Sequence, residues 1–175
     1  IDVSSEYISE WVRDAFYKGF YERAEAKILY KSLSEQDVIL EIGGGIGLIA
    51  NICSKAKKVV VFEANKNLIP IIKRNLELNN NKVHLINGVI STENKEKEID
   101  FYIGENFWNA SINKNKNFKS YKVRSFNFSK ELHKIKPNFL IIDVEGYEFE
   151  LFNNYSIPDC INKILIEFHP KLIDQ

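Results

Sequence analysis

The chain is poor in cysteine and proline, has no methionine, and carries no excess of charge of either sign. Cys53 and Cys160 are the only cysteines among 175 residues, too few for a disulfide framework or a cysteine-ligated zinc site, and they point to a reducing compartment. Lys and Arg number 24, as do Asp and Glu, so the formal net charge is zero. No global field therefore draws the chain to nucleic acid or to an anionic membrane. No apolar run approaches the roughly 20 residues of a membrane-spanning helix, and the N-terminus lacks a basic segment followed by an apolar one. A soluble, cytoplasmic protein is expected, with no membrane span and no nucleic-acid partner. A chain that begins at Ile1 and contains no Met is expected to be less than a whole gene product, with one or both ends missing.

What is present suffices for one core. Hydrophobic residues make up 45% of the chain, and a domain near this size buries about 70% of the surface its unfolded form exposes. From Ser5 to Leu33 the apolar residues Tyr7, Ile8, Trp11, Val12, Ala15, Phe16, Phe20, Ala24, Ile28 and Leu29 recur at helical steps, which predicts one or two helices in a segment spanning residues 1–36. From residue 37 the pattern changes. Val38–Ile42 reads as a strand stopped by glycines, Ile46–Ser54 as a helix, Lys58–Glu63 as a strand, Asn67–Asn79 as a helix and Val83–Ile86 as a strand. Ile99–Ile103 and Tyr121–Phe128 read as strands around a polar loop from Glu105 to Ser120. Phe139–Asp143 and Lys163–Phe168 are two further strands, with a helix between them from about Tyr147 to Asn153. Alternating strands and helices with near-continuous apolar strands imply an α/β domain over 37–175 whose parallel sheet is covered on both faces.

The most informative segment is Glu41-Ile42-Gly43-Gly44-Gly45-Ile46-Gly47. Glycines between a strand and a helix let the backbone turn sharply and approach a ligand, and the helix start offers unpaired N–H donors. A dinucleotide fingerprint counted from Gly43 and Gly45 needs glycine at position 48, which is Leu48, and no Gly-Lys-Ser/Thr follows for a phosphate loop. The remaining E-x-G-x-G-x-G turn suits a ligand with an ammonium or sulfonium and no phosphate. Glu63 closes the next strand 20 residues after Gly43, the offset at which an acid accepts hydrogen bonds from ribose hydroxyls.

These segments make the sequence similar to the FkbM family of class I S-adenosylmethionine (SAM) dependent methyltransferases. The resemblance runs from Gly19-Phe20-Tyr21-Glu22 through Glu41–Gly47, Phe62-Glu63-Ala64-Asn65, the helix with Leu76 and Asn79, and Ile142-Asp143-Val144-Glu145-Gly146-Tyr147-Glu148, to Ile166-Glu167-Phe168-His169-Pro170. Asp-Val-Glu-Gly-x-Glu is its most specific element. Two features depart from the family pattern: Glu41-Ile42-Gly43-Gly44-Gly45 stands where Asp-x-Gly-Ala-Asn is usual, and the strands that usually follow the Ile166–Pro170 element are not there. The resemblance implies a Rossmann-like sheet in the order 3-2-1-4-5, lacking the C-terminal strand hairpin, and methyl transfer from SAM to a hydroxyl of a sugar, lipid or polyketide-like acceptor. It places the cofactor on Glu41, Gly43, Gly45, Gly47, Glu63, Ala64, Asn87, Gly88 and Asp143.

The chemistry of the strand ends agrees. Asp143 and Glu145 follow the fourth core strand and Glu167 and His169 the fifth, at the edge where open α/β sheets hold ligands. An alcohol is a poor nucleophile near neutral pH, so a base that takes its proton helps in-line attack on a methyl carbon, and imidazole suits that task. His169, Asp143 and Glu145 are the catalytic candidates, with Glu148 read as an acid at a helix start. Asp143, Glu145 and Glu167 could instead hold Mg²⁺, although a metal-free site is preferred. Lys114, Lys116, Lys119, Lys122 and Arg124 read as a solvated basic loop, and Phe107 and Trp108 as a substrate wall or core. A non-catalytic SAM-fold binding module and an NAD enzyme are the rival readings.

Overall fold

The computed structural model describes residues 1–93, 97–104, 110–111, 118–153 and 157–169. The elements run α1 (Glu10–Tyr17), α2 (Arg23–Ser32), β1 (Val38–Ile42), α3 (Leu48–Cys53), β2 (Lys58–Glu63), α4 (Ile69–Leu78), β3 (His84–Asn87), β4 (Val89–Ser91), β5 (Glu98–Ile103), β6 (Ala110–Ser111), β7 (Lys119–Asn127), α5 (Phe128–Ile135), β8 (Phe139–Ile142), α6 (Glu148–Phe152) and β9 (Lys163–Ile166). Five strands form a parallel sheet in the order β3-β2-β1-β8-β9, which is the expected 3-2-1-4-5 when only core strands are counted.

Both faces of this sheet are covered, which is why its strands are apolar throughout rather than alternating. Ile39, Val59, Val61, Phe139 and Ile141 pack with Leu29, Ile46, Ala50 and Ile72 on one face. Their neighbours Leu40, Ile42, Val60, Phe62, Leu140 and Ile142 pack with Phe126, Leu132 and Leu151 on the other. Among the described residues no helix is long and apolar enough to cross a membrane.

The segment between β3 and β8 differs from the sequence reading. It builds a second sheet, β4-β7-β5-β6, in which β4 runs parallel to β7 and the other pairs are antiparallel. The expected loop from Glu105 to Ser120 contains β6 and the start of β7, whereas Phe107, Trp108, Lys114 and Lys116 lie outside the described residues. The strand expected to reach Phe128 ends at Asn127, whose side chain accepts the Lys130 N–H at 2.9 Å and starts α5. That helix buries Phe128, Leu132 and Ile135, spaced four and three residues apart on one face. Tyr121 ties the second sheet to the first: its hydroxyl donates to Ala64 O at 2.5 Å and accepts the Lys66 N–H at 2.7 Å.

One buried ion pair fastens β9 to the rest. Asp37 is 2% exposed and accepts from Lys163 Nζ at 2.5 and 2.6 Å, Ser34 N at 2.7 Å and Asn138 Nδ2 at 3.0 Å. Burial alone would raise the Asp37 pKa, but the bonds from Lys163, Ser34 and Asn138 outweigh it and hold the carboxyl below its ordinary value. Lys163→Met strands that carboxylate, so urea unfolding at pH 7 is expected to register a loss of about 2–3 kcal/mol. A depressed carboxyl pKa stabilises above its unfolded value near 3.9 and ceases to as pH falls through the folded value. The deficit of the variant should therefore close below about pH 4.

Candidate active site

The glycine turn follows directly from the sheet. Gly43 adopts φ 93°, donates its N–H to Phe62 O at 2.9 Å, and lies so close to β8 that a Cβ would sit 1.8 Å from the Asp143 carbonyl oxygen. Only glycine fits there. Glu63, at the end of β2, organises the rest of the turn. Its Oε2 accepts the N–H groups of Gly44 at 2.9 Å and Gly45 at 3.1 Å, and its Oε1 accepts Asn65 N–H at 2.6 Å. Burial pushes the Glu63 carboxyl up to about 7, and the bonds from Asn65, Gly44 and Gly45 keep it from going higher. Glu63, expected simply to face ribose hydroxyls, is first the anchor of the glycine turn.

Above this edge lies a cavity of about 600 Å³, within the range of small-molecule sites. Gly43, Gly45, Glu63, Ala64 and Gly88 wall it on the side of β1 to β3, and Asp143, Glu145, Glu167 and His169 on the side of β8 and β9. Val89, Ile90 and Phe101 close it from the second sheet, and Trp11, Phe20, Tyr21 and Glu22 from the N-terminal segment. Glu41, Gly47 and Asn87, also expected to bind cofactor, do not line the cavity. Glu41 is 1% exposed, Gly47 abuts Ile72 at 3.1 Å, and Asn87 Nδ2 donates to Glu63 O at 2.8 Å and Ala64 O at 3.1 Å.

The catalytic candidates come together around one imidazole. His169 Nε2 lies 3.4 Å from Glu145 Oε2, 3.7 Å from Glu167 Oε1 and 3.8 Å from Asp143 Oδ1. Its Nδ1 is 2.8 Å from Oε1 of Glu148, a fully buried carboxylate that also accepts the Gly146 N–H on both oxygens at 3.1 Å. Nδ1 is thus the ring nitrogen given to Glu148, and Nε2 is the one turned to the other acids. The chain reaches this arrangement through a tight bend, with Glu145 at φ 49° and Gly146 at φ 98°. Ligand atoms of Asp143, Glu145 and His169 all lie within 4.8 Å of one another; the Mg²⁺ set weighed from the sequence had Glu167 in place of this histidine.

Burial and crowding set the electrostatics. Burial, then Glu167 and Glu145, push Asp143 up to about 8, and burial raises Glu145 against the pull of His169. Burial alone would lower His169, but its bond to Glu148 and the charges of Glu145 and Asp143 prevail and raise it. Two residues here carried no site role in the sequence reading. Glu148 is a partner of the imidazole rather than only a helix-start acid, and Glu22 reaches the cavity from outside the sheet. Both stand in segments that carry the family resemblance, and that was their one signal.

A parallel sheet of this order, with a glycine turn after its first strand and a crevice beyond the carboxyl ends, defines a Rossmann-like α/β protein. Residues 41–174 match the methyltransferase FkbM domain, and the chain belongs to that family. It is 28% identical over 154 residues to the uncharacterized protein MJ1452 of Methanocaldococcus jannaschii, covering 87% of this chain and 56% of that one. The chain thus spans about half the length of that relative. It is also 39% identical over 56 residues to the ribosomal RNA small subunit methyltransferase A of Lachnoclostridium phytofermentans, or 31% of this chain and 19% of that protein. A SAM-dependent methyltransferase structure from Clostridium acetobutylicum aligns with 73% of this chain and 87% of its own, at 10% identity and a TM-score of 0.33.

Proposed function

We propose that this methyltransferase uses SAM, held between the Gly43–Gly47 turn and Glu63, to methylate a hydroxyl oxygen of a small-molecule acceptor such as a sugar, lipid or polyketide-like compound in the cytoplasm. The observation that carries this reading is the convergence of the anchored glycine turn and the His169 cluster on one cavity. The lining also fits a cation. Glu22, Glu63, Asp143, Glu145 and Glu167 face the cavity, and burial has raised Glu22 and Asp143 to about 8 and Glu63 to about 7. An entering sulfonium and ammonium restore their ionised forms and pair with them, whereas the pyrophosphate of NAD or the phosphates of a nucleic acid would drive them further toward the neutral form and gain no such pairing.

Bound SAM supplies an electrophilic methyl carbon on a sulfonium. The residues of the chain do the rest. Glu63 keeps the turn closed and faces the cavity where a ribose hydroxyl would meet it. Glu148 fixes the tautomer and aim of His169, so Nε2 accepts the proton of an acceptor hydroxyl, and Asp143 and Glu145 stabilise the resulting imidazolium. Mg²⁺ at Asp143, Glu145 and Glu167 is a secondary reading, and chelator-insensitive turnover would dismiss it.

Calorimetric titration of S-adenosylhomocysteine and of NAD tests the cofactor. Binding of the first and not the second is expected, and the reverse overturns the proposal. Glu63→Gln, whose amide retains a single acceptor oxygen, is expected to weaken S-adenosylhomocysteine by about 1–3 kcal/mol. Radiolabelled methyl transfer to hydroxylated acceptors separates an enzyme from a binding module.

A further inference from the structure

Glu22 precedes the residues matched by the family model, 41–174, yet it lines the same cavity as the glycine turn. It sits at the α1–α2 junction with φ 48°, beside the hydroxyl of Tyr21, which hydrogen-bonds to it. Both groups hang over Gly45: the Tyr21 hydroxyl and Glu22 Oε1 lie 3.3 and 3.4 Å from where a side chain at Gly45 would begin. Behind the turn stands Glu41, 1% exposed. Oε2 of Glu22 and Oε2 of Glu41 are both buried without a hydrogen-bond partner. Among the described residues neither carboxylate forms an ion pair with Lys, Arg or His. A buried carboxylate oxygen left this way is costly unless it is protonated or a cation meets it.

Position along the sheet edge says which cation. Ala64 and Gly88, after β2 and β3, wall one end of the cavity, and the His169 cluster after β8 and β9 walls the other. Glu22 arches over β1, between them. A nucleoside with its ribose at Glu63 and its reacting carbon near His169 therefore leaves its amino-acid arm beneath Glu22. An ammonium is a compact positive charge with N–H donors, so it can meet Glu22 in the cavity while Glu41 acts on it from behind the turn.

We propose that Glu22, backed by Glu41, recognises the α-ammonium of the amino-acid arm of the cofactor, so that the N-terminal helical segment completes the cofactor site. This rests on the SAM reading above. Its test compares S-adenosylhomocysteine with 5′-methylthioadenosine, which has the same nucleoside and no amino-acid arm, on the whole chain and on Glu22→Gln by calorimetry. The variant should bind S-adenosylhomocysteine about tenfold more weakly or worse and keep its affinity for 5′-methylthioadenosine. Its melting temperature without ligand should equal or exceed that of the parent, because an unpartnered buried carboxylate has gone. Deaminated S-adenosylhomocysteine provides a check on the unaltered protein: it should bind about tenfold more weakly than the parent compound, with no further loss in Glu22→Gln. Equal losses for both nucleosides, or no loss for S-adenosylhomocysteine, overturn the assignment. Failure of every adenosyl probe on the unaltered protein overturns the cofactor reading itself, and this one with it.

Discussion

His169→Ala is expected to lower turnover by about 10² to 10⁴ while S-adenosylhomocysteine binds with nearly its original affinity. The loss should be large because the imidazole is already arranged for proton transfer. Glu148 is fully buried and held by Gly146 N–H, so its 2.8 Å contact with Nδ1 fixes the ring, and Nε2 lies among three carboxylates that line the cavity. A carboxylate that inherited the task would be a weaker base unless its own pKa were raised, as that of Asp143 is, to about 8. The pH profile separates these cases. The competent form of His169 is the neutral one, and its pKa lies above 6.5, so kcat/KM should climb through neutrality and level off at higher pH. The same shift affects stability with the opposite trend. A histidine whose folded pKa is raised adds stability that is fully present below its unfolded value, near 6.5, and is lost as pH rises through the folded value. In His169→Ala the activity trend should disappear and the stability trend should lose the share of the histidine, the share of Asp143, Glu22 and Glu63, whose carboxyls titrate at about 7 to 8, remaining. Full activity of this variant on its acceptor across pH 6 to 9 would transfer proton removal to Asp143, Glu145 or a metal-bound oxygen.

The sheet was legible because burial on both faces writes it into the chain as unbroken apolar runs. Val38–Ile42, Lys58–Glu63 and Phe139–Ile142 have no other reasonable reading. The second sheet was less so. β4 has three residues and β6 two, lengths over which an alternating pattern cannot be distinguished from a turn. α5 was missed for a different reason: Asn127 ends a strand and caps a helix at once, with no glycine or proline between, so the change of period from 2 to 3.6 passes unannounced. The candidate site residues on strand ends could be named because the fold class says where to look. The partnership of Glu148 with His169 spans 21 residues, and the reach of Glu22 over Gly45 depends on how α1 and α2 pack. Neither distance is encoded in any local spacing.

The largest effect on the fold should come from Gly43→Ala. A Cβ there would lie 1.8 Å from the carbonyl oxygen and 2.8 Å from the carbonyl carbon of Asp143, both backbone atoms in the chain leaving β8. No rotamer change relieves a clash with backbone, so β8 must move away from β1. That movement breaks the Asp143 N–H bond to Ile42 O, 2.9 Å long, which continues the β1–β8 ladder into the site. The φ of 93° adds strain for any residue with a Cβ. Together these predict a loss of about 4 kcal/mol in urea unfolding, near the upper end for a single substitution. Gly19 supplies the control, since it has φ 69° but nothing within 4 Å of its would-be Cβ. Gly19→Ala should therefore cost only about 1 kcal/mol, the strain of the backbone alone. Binding should divide the two in the same way. Displacing the Asp143 carbonyl shifts the side chains of Asp143 and Glu145 relative to Glu63, so Gly43→Ala should lose S-adenosylhomocysteine under conditions where it remains folded, and Gly19→Ala should retain it. A Gly43→Ala protein within about 1 kcal/mol of the original would mean that β1 and β8 do not approach this closely in solution, and the proposed meeting of the glycine turn with the His169 cluster would have to be abandoned.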